Sequence, residues 1–577
     1  MTLQTVGNTT NFTVAYDDSI VSAQPAAKQA QTKANLIANC NFLLGQVEAA
    51  FTTTTGWFAT DTSKFGTGNR QQVDLDQPDN SGAFNNGYGN PIHTDPQSQN
   101  SSSTAGPIVS MLWMAEWSEV LMSLTSNWNA GDSSGEGLSQ FSAGTIFLAG
   151  HNDYYGGGFI QDWLNGTGTT IAIVDAYGST TIAHDAQAFS AATGLPPINL
   201  TVIGTPTESN FSGDANSGWA TETTLDVEWV HAVAPGAKIV LVVTPTNSNS
   251  DLFNGIVTAA STPGVVAISN SWDGFDIGVA GDGEFYRAAD SILQEIGAAG
   301  ISVNFSTGDS GDNSSQLGGL YTSTGWPASS PFATGIGGVS VALDQHKHIA
   351  WQTSWGTELT EIADTVALGS PPIDTPNNEG FDAGGTGGFS DTYPKPFWQF
   401  GVPGDRRGTP DISWVADPFT GVEIIFTADA AGDLGIEPIG GTSVACPMFT
   451  ALWGIATQRA HHLLGQAAPH LYRISPESGA INDIVSMTSQ NNVTGTIEDA
   501  GGTNPIRATE LAAPLNNQPR FISALYNSPH STRWFVLVFG VDSTLQAGPG
   551  WDQATGLGSP NGWAFVQAVA GDGDGQH

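Results

Sequence analysis

An alternation of apolar strands with helices begins near residue 166 and continues past residue 300. The sequence predicts strands at 169–174, 238–243, 265–269 and 301–305, and helices at 182–193, 222–232, 252–260 and 283–298. Strands that alternate with helices favour a parallel sheet covered by helices on both faces. In such sheets the active site lies at the carboxyl ends of the strands. The pattern therefore predicts an α/β fold and the sheet edge at which functional residues should lie.

The first 165 residues lack this alternation. Two stretches there, at 26–51 and 109–124, have the apolar periodicity of helices. Between them, residues 77–106 are rich in Asn, Ser, Gly and Pro, which is typical of a long loop. We therefore expect a separate, mainly helical and loop N-terminal region at 1–165, followed by one α/β domain at 166–577.

The charge balance excludes two classes of partner. The 577 residues contain 15 Lys and Arg against 54 Asp and Glu, a formal charge of −39. Nucleic acids and anionic membranes bind cationic surfaces, so we expect neither as a partner. Charged residues are only 12% of the chain, so few ion pairs would be lost when carboxylates are protonated. This composition suits a protein that works in acid, although an ordinary acidic protein remains the alternative.

Other segments give little information about the cell compartment. The two cysteines, Cys40 and Cys446, are far apart and form no disulfide framework. The chain has no run of 18 apolar residues, and its start lacks the basic and apolar regions of a signal peptide. The residues themselves therefore do not predict export.

Ser443 lies in a glycine-rich segment, 440–447, that opens an apolar helical run. A nucleophilic serine at such a helix start needs a base, because its free hydroxyl is too weakly acidic to attack at a useful rate. A subtilisin-like enzyme would supply a histidine from a His-Gly-Thr segment, but this chain contains no such segment. If Ser443 is a nucleophile, another group must accept its proton.

Two carboxylates could act as that proton acceptor. Glu222 and Asp226 are four residues apart in a predicted helix, so they lie on one face and can share a proton. Two like charges so close cannot both ionise easily, and one pKa rises. The pair could then accept a proton in acid, where histidine is already charged. A solvated acid pair without function is common on helices and remains the alternative.

A third carboxyl group follows a predicted buried strand. Asp309 lies in Gly308-Asp309-Ser310-Gly311, at the carboxyl edge of the sheet. A protonated aspartic acid there can donate a hydrogen bond to a developing oxyanion. An aspartate that merely caps a turn is the alternative.

The same motif has a competing interpretation. Chymotrypsin-like proteases carry their serine in Gly-Asp-Ser-Gly-Gly, which would make Ser310 the nucleophile and His184 the base. However, Asp312 replaces the second glycine and His184 lies in a predicted helix. The strand–helix alternation also does not fit two β-barrels, so we favour Ser443.

Residues 166–565 resemble the sedolisin family, the serine-carboxyl peptidases with a subtilisin-like fold. Glu222 and Asp226 resemble the family's paired acids, Asp309 its oxyanion aspartate, and Ser443 in Gly-Thr-Ser its nucleophile. Further stretches that match the family lie at 321–338, 387–390 and 407–413. The matches occur in the family's order, which makes the resemblance specific.

The resemblance implies an activity and a mechanism. Ser443 would attack a peptide carbonyl while Glu222 takes its proton, Asp226 would orient Glu222, and Asp309 would donate to the oxyanion. Asp175 would lie where some members place an acidic residue that supports the glutamate. The implied enzyme is an acid-acting endopeptidase rather than a tripeptidyl-peptidase, with maximal hydrolysis below about pH 5.

The resemblance also implies one calcium ion. Asp483 and Asp552, with the carbonyl groups of Ile484, Gly548 and Gly550, would form its site, and hard oxygen donors of this kind suit calcium. The stretch at 486–545 looks longer than the family's usual connection and contains an apparent strand at 533–539. We expect it to be an insertion.

The region at 1–165 departs from the family, since no motif of the usual prosegment can be found there. It is expected to be a divergent prosegment, an accessory domain or a binding module. The resemblance further implies a secreted, monomeric enzyme that acts on proteins or peptides. A catalytically silent secreted binding or adhesion protein on a sedolisin scaffold is the alternative.

Overall fold

The computed structural model describes most of residues 164–571, together with short segments elsewhere. The main described ranges are 164–343, 349–363, 377–485 and 539–571. Within them, residues 194, 212–215, 217, 277–278, 320 and 541–542 are not described. Outside them, the structure describes strands at 3–8, 13–17, 111–113, 494–499, 502–507, 522–527 and 534–538, and a few residues between 26 and 34. The chain divides into two compact units, one formed by 1–141, 340–383 and 485–544, the other by 142–339, 384–484 and 545–577.

A parallel sheet forms the centre of the second unit. Its strands are β1 (Thr170–Ala176), β2 (Asn199–Ile203), β3 (Lys238–Thr244), β4 (Val265–Asn270), β5 (Ser302–Ser306), β6 (Thr334–Leu343) and β7 (Ile412–Val415). They are hydrogen-bonded in the order β6-β5-β4-β1-β3-β2, and β7 pairs with β6. Each of these pairings is parallel. All residues of β1 and β4 are buried, as expected for central strands covered on both faces.

Helices cover both faces of this sheet. They are α1 (Ile182–Thr193), α2 (Gly218–Val233), α3 (Asn249–Ala260), α4 (Val279–Ala298), α5 (Thr442–Ala460), α6 (Ala468–Leu471) and α7 (Gly562–Ala570). Val174 of β1 faces Gly255 of α3, whereas Ile171 faces Gly454 of α5 on the opposite side. The alternation of side chains along one strand therefore presents apolar residues to both helical layers.

Helix α5 is buried along most of its length. It is apolar on nearly every side, from Val444 to Ala456, and such a helix is stable only inside a large core. Its first turn begins after Gly441, whose φ of 101° lies in the left-handed region that favours glycine. The core thus fixes α5, and with it the position of Ser443 at its start.

Shorter strands complete the second unit. They lie at Gly274–Phe275, Gly325–Trp326, Gly388–Pro394, Arg406–Thr409, Val422–Thr427, Leu434–Ile439, Ile481–Asn482 and Ser559–Pro560, with 3-10 helices at Pro418–Thr420 and Pro476–Ser478. A buried ion pair between Arg407 and Asp411, 2.6 Å apart, holds one of the connecting segments. None of the helices in the described ranges is long and apolar enough to cross a bilayer.

The first unit is described chiefly through its strands. Antiparallel strands form a three-stranded sheet (Leu3–Asn8, Thr13–Asp17, Met111–Trp113), a four-stranded sheet (Asn377–Gly384, Gly356–Ala363, Trp534–Phe539, Ile522–Asn527) and a hairpin (Thr494–Asp499, Gly502–Arg507). A further strand is Ile349–Ser354. The predicted insertion at 486–545 supplies four of these strands, among them the expected strand at its end.

One prediction for the N-terminal region is wrong in part. The helix expected at 109–124 is replaced at Met111–Trp113 by a strand, which pairs with residues 13–15. The region expected to be mainly helical and loop therefore contains a sheet, because a short apolar run cannot be assigned to helix or strand by periodicity alone. The rest of that predicted helix and the predicted loop at 77–106 lie outside the described residues.

Candidate active site

Helix α2 carries both predicted members of the acid pair. Asp226 is fully buried, and Glu222 is half-buried one turn earlier. The hydroxyl group of Ser271, just after β4, lies 2.9 Å from each carboxyl oxygen of Asp226. The same hydroxyl lies 3.4 Å from the carbonyl oxygen of Ser443. Ser271 thus connects the acid pair with the start of α5.

Ser443 and Glu222 lie next to each other in the structure. Burial raises the pKa of Glu222, hydrogen bonding with Ser443 lowers it, and the charges of Asp175 and Asp309 raise it again. The serine and one carboxyl group are therefore in direct contact, although they are distant in sequence. This is the contact that a serine nucleophile needs with its base.

Asp175 completes a cluster of three carboxyl groups. It lies near the carboxyl end of β1 and is fully buried. Burial raises the pKa of Asp175 to about 7, and the neighbouring Thr223 hydroxyl lowers it. Burial also raises the pKa of Asp226, and the charges of Asp175 and Glu222 raise it further. Because the three groups interact, they retain protons as a unit.

Asp309 contacts Thr442, the residue before Ser443 at the start of α5. Its Oδ1 accepts hydrogen bonds from the backbone N–H and the hydroxyl of Thr442, each at 2.8 Å. A Cβ atom at Gly441 would lie 2.8 Å from Asp309 Oδ2, so glycine is required for this close approach. Burial raises the pKa of Asp309, while the bonds from Thr442 lower it. Oδ1 is thus occupied, and Oδ2 is the oxygen that can carry a proton.

A cavity of about 300 Å³ opens beside these groups. Its wall includes Ser443 and Asp309, together with Ser271 and Thr442. The cavity lies at the carboxyl ends of β4 and β5, the sheet edge predicted from the strand–helix alternation. A peptide bound there would be next to the serine hydroxyl.

The competing serine has different surroundings. The hydroxyl of Ser310 accepts a hydrogen bond from Gln316 at 3.4 Å. His184 lies on α1, with its Nδ1 3.1 Å from the hydroxyl of Thr427 and 3.5 Å from Asp185. The structure therefore joins His184 to Thr427 and Asp185, not to Ser310.

The predicted calcium ligands meet in one loop region. The backbone N–H of Gly550 lies 3.0 Å from one carboxyl oxygen of Asp483, and that of Gly548 lies 3.1 Å from Asp552. Burial raises the pKa of Asp552 to about 6. Among the residues that the structure describes, no group of three acidic, His or Cys side chains forms a metal cluster. Any ion here would depend on carbonyl oxygens as well as the two carboxylates.

Three residues of the site were not predicted from the sequence. Ser271, Asp273 and Thr442 all line the cavity. Ser271 and Asp273 follow a buried strand at the functional sheet edge, and that position is the only signal that could have indicated them.

Cys446, one turn after Ser443, is fully buried, and burial raises the pKa of its thiol to about 12.

A serine among buried carboxyl groups, at the edge of an α/β sheet, is the arrangement expected of a serine-carboxyl peptidase. Sequence comparison finds relatives of this class. The chain is 30% identical over 425 residues to kumamolisin from Bacillus sp. (strain MN-32), covering 70% of this chain and 61% of that relative. It is 28% identical to sedolisin from Pseudomonas sp. (strain 101), covering 55% of this chain and 52% of that relative. In sequence the chain is thus similar to kumamolisin and sedolisin, and these relatives support its assignment to the sedolisin family.

A solved structure supports the fold. It is described as Pseudomonas sedolisin (serine-carboxyl proteinase) complexed with two molecules of pseudo-iodotyrostatin, and it matches with a TM-score of 0.53 and 23% identity. The match covers 75% of this chain and 98% of that one. No protein-family model matches the chain. The chain covers only 61% and 52% of the two curated relatives.

Proposed function

We propose that the protein is a serine-carboxyl peptidase that hydrolyses peptide bonds through an acyl-enzyme on Ser443. The observation that carries this proposal is the hydrogen bonding of Ser443 with Glu222, at a cavity whose wall includes Ser443 and Asp309. The similarity to sedolisin-family relatives supports the same conclusion.

The proposed reaction proceeds in two acyl transfers. The Ser443 oxygen attacks the peptide carbonyl carbon while Glu222 accepts the hydroxyl proton. When the tetrahedral intermediate collapses, the C–N bond breaks and Glu222 returns that proton to the leaving amine. Water then attacks the ester, and Glu222 transfers the proton of water to the Ser443 oxygen. This second step releases the acid product and regenerates the free serine.

The neighbouring carboxyl groups have distinct roles in this proposal. Asp226, held by Ser271, orients Glu222 and takes part of the charge that develops in the cluster. Asp175 adjoins the cluster and supports the same sharing of protons. Asp309, protonated at Oδ2, donates a hydrogen bond to the oxyanion, as a preorganised donor in an enclosed site can do effectively.

The pH dependence of hydrolysis tests this proposal. Activity should need Asp309 protonated and one carboxylate of the cluster ionised. A raised pKa keeps Asp309 neutral to a higher pH than a free aspartic acid, and activity is lost as the pH rises through that value. Mutual repulsion lets one group of the cluster ionise before the others. We therefore expect a bell-shaped profile of kcat/KM, whose acid limb follows the first ionisation of the cluster and whose alkaline limb follows Asp309. The raised pKa values of the cluster move the acid limb upward, and the maximum below about pH 5 is proposed from the resemblance to the sedolisins.

The measurement uses a denatured protein substrate between pH 2 and pH 8, with new amino termini counted as product. A maximum near neutrality would contradict the assignment of Asp309. Absence of hydrolysis at every pH would instead favour a binding protein on the same scaffold. Mass spectrometry of the products separates the proposed endopeptidase action, which yields internal fragments, from release of tripeptides.

Other properties are proposed from the family relationship and the charge of the chain. We propose that the enzyme is secreted, acts on proteins or peptides as a monomer, and has no nucleic-acid or membrane partner. The net charge of −39 supports the last point.

We also propose one structural calcium ion in the loop at 548–552. Asp483 and Asp552 would supply carboxylate oxygens, and Ile484, Gly548 and Gly550 carbonyl oxygens. The hydrogen bonds described above bring both carboxylates to this loop, and this set of oxygen donors fits calcium. The ion would hold together the segments before and after the stretch at 486–545.

Removal of calcium is expected to lower the melting temperature. An ion at a free concentration of about 100 times its Kd stabilises the folded state by about 2.7 kcal/mol. Thermal unfolding with calcium and with a chelator measures this difference. Asp483→Asn should abolish the response, whereas Asp405→Asn, at an exposed aspartate, should retain it. A wild-type melting temperature that ignores the chelator would exclude the site.

A further inference from the structure

Asp273 is a carboxyl group of the cavity wall that the proposed mechanism does not use. It comes two residues after Ser271, at the carboxyl end of β4, and lines the same cavity as Ser443 and Asp309. Its side chain is exposed to the cavity. A substrate residue beside the scissile bond would therefore meet this carboxyl group.

Two glycines make room for the Asp273 side chain. A Cβ atom at Gly308 would lie 2.5 Å from Asp273 Oδ2, and a Cβ atom at Gly325 would lie 3.4 Å from the same oxygen. Gly308 also has a φ of 103°, which favours glycine on backbone grounds. The carboxyl group of Asp273 thus packs against the backbone at Gly308, where a larger residue would displace it.

The carboxyl group of Asp273 lacks a compensating partner. Within the described part of the chain, it forms no hydrogen bond or ion pair. Protein atoms surround it on the sides away from the cavity, and this desolvation, followed by the charge of Asp309, raises the pKa of Asp273 to about 8. A carboxyl group that is exposed to the cavity and has no donor from the described protein residues is available to a donor on a bound ligand.

The charge of the surrounding wall indicates which donor fits. Asp273 and Asp309 are both acidic, and the described lining of the cavity contains no Lys, Arg or His. The whole chain is strongly negative, which attracts cationic ligands. An arginine side chain can donate two parallel hydrogen bonds to a carboxylate, a geometry that a neutral side chain cannot match in strength.

We propose that Asp273 selects peptide substrates with a basic side chain, arginine or lysine, next to the scissile bond. The proposal rests on the proposed peptidase function, because the same cavity holds Ser443. On binding, the cation replaces the proton of Asp273, which passes to solvent. Asp309 is the titratable group that faces Asp273 from the neighbouring segment after β5.

Binding to an inactive protein tests this selection without requiring catalysis. The Ser443→Ala variant is titrated with two peptides that differ only in arginine or its neutral analogue citrulline, with affinity measured by calorimetry. We expect the arginine peptide to bind about tenfold more tightly at pH 6. The preference should increase from pH 4 to pH 8, because Asp273 ionises more readily as the pH rises.

Variants at position 273 separate this effect from the general charge. Asp273→Asn, combined with Ser443→Ala, should bind both peptides with affinities within about twofold of each other and without the rise with pH. Asp273→Ser provides a second substitution if the first does not fold. Asp405→Asn removes one negative charge at an exposed position and should retain the full preference.

The outcomes distinguish the two proposals. A preference for arginine that survives Asp273→Asn and Asp273→Ser, or equal binding of both peptides by the Ser443→Ala variant, overturns the role of Asp273. Hydrolysis of both peptides by the unsubstituted enzyme is measured in parallel. If neither peptide is cleaved while the arginine preference in binding is present, the peptidase proposal falls and the binding site stands.

Discussion

Replacing Ser443 with alanine is expected to lower kcat/KM for peptide hydrolysis by about 10⁶-fold, the size of loss found when a serine hydrolase loses its nucleophile. Ser443 hydrogen-bonds with Glu222 and lines the cavity, and without its hydroxyl group the proposed acyl-enzyme cannot form. The measurement compares initial rates on a fluorogenic peptide at the optimal pH. Because alanine only removes one oxygen at a half-buried position, the fold should be unchanged by circular dichroism.

Ser310→Ala is the matched control for this variant. Ser310 lies at the same cavity but hydrogen-bonds with Gln316 rather than with the carboxyl cluster. We expect it to retain activity within about threefold of wild type, as is usual when no reacting group is removed. Equal losses in the two variants, or a larger loss in Ser310→Ala, would revive the chymotrypsin-like interpretation and remove Ser443 from the mechanism.

Replacing Glu222 with glutamine is expected to lower kcat/KM by about 10³- to 10⁴-fold, the upper range for a general base. Glutamine has the same shape and can still hydrogen-bond with Ser443, but it cannot accept the proton. The remaining activity should also lose its acid limb if ionisation within the cluster depends on Glu222. The pH–rate profile of the variant measures both effects.

Glu295→Gln is the corresponding control, because Glu295 is exposed on α4 and its substitution removes the same charge. Its activity and pH profile should match those of wild type. A Glu222→Gln variant with near wild-type rates would show that another group accepts the proton. Among the described residues beside Ser443, Asp309 would then be the next candidate.

Much of the second unit could be predicted from the sequence because its elements are long and strongly patterned. Helix α1 begins and ends where the sequence predicts, and the predicted strands correspond to β1, β3, β4 and β5. The strand β2 was not predicted. It has five residues, none of them fully buried, so it shows neither an apolar run nor a regular alternation. An edge strand of this kind is set by pairing with its neighbour.

The site was predictable where its residues are close in sequence or match a motif. The spacing of Glu222 and Asp226 is local, and a helix places both on one face. The hydroxyl of Ser271 reaches Asp226 across 45 residues, and nothing in the sequence around position 271 indicates that contact. Asp273 is similar, because its role depends on glycines that come later in the chain. Such contacts follow from tertiary packing and have no local signal.

The contacts that join Ser271, Asp309 and the start of α5 are long-range, and this has a consequence for the nascent chain. Asp309 and Thr442 are 133 residues apart, and Ser271 and Ser443 are separated by 172. Contacts of such separation form late, after the intervening loops have been closed. During synthesis and folding the serine therefore has neither its base nor its oxyanion donor. Under the proposed mechanism, the chain therefore cannot digest its own partly folded copies, since catalytic competence appears only with the complete sheet.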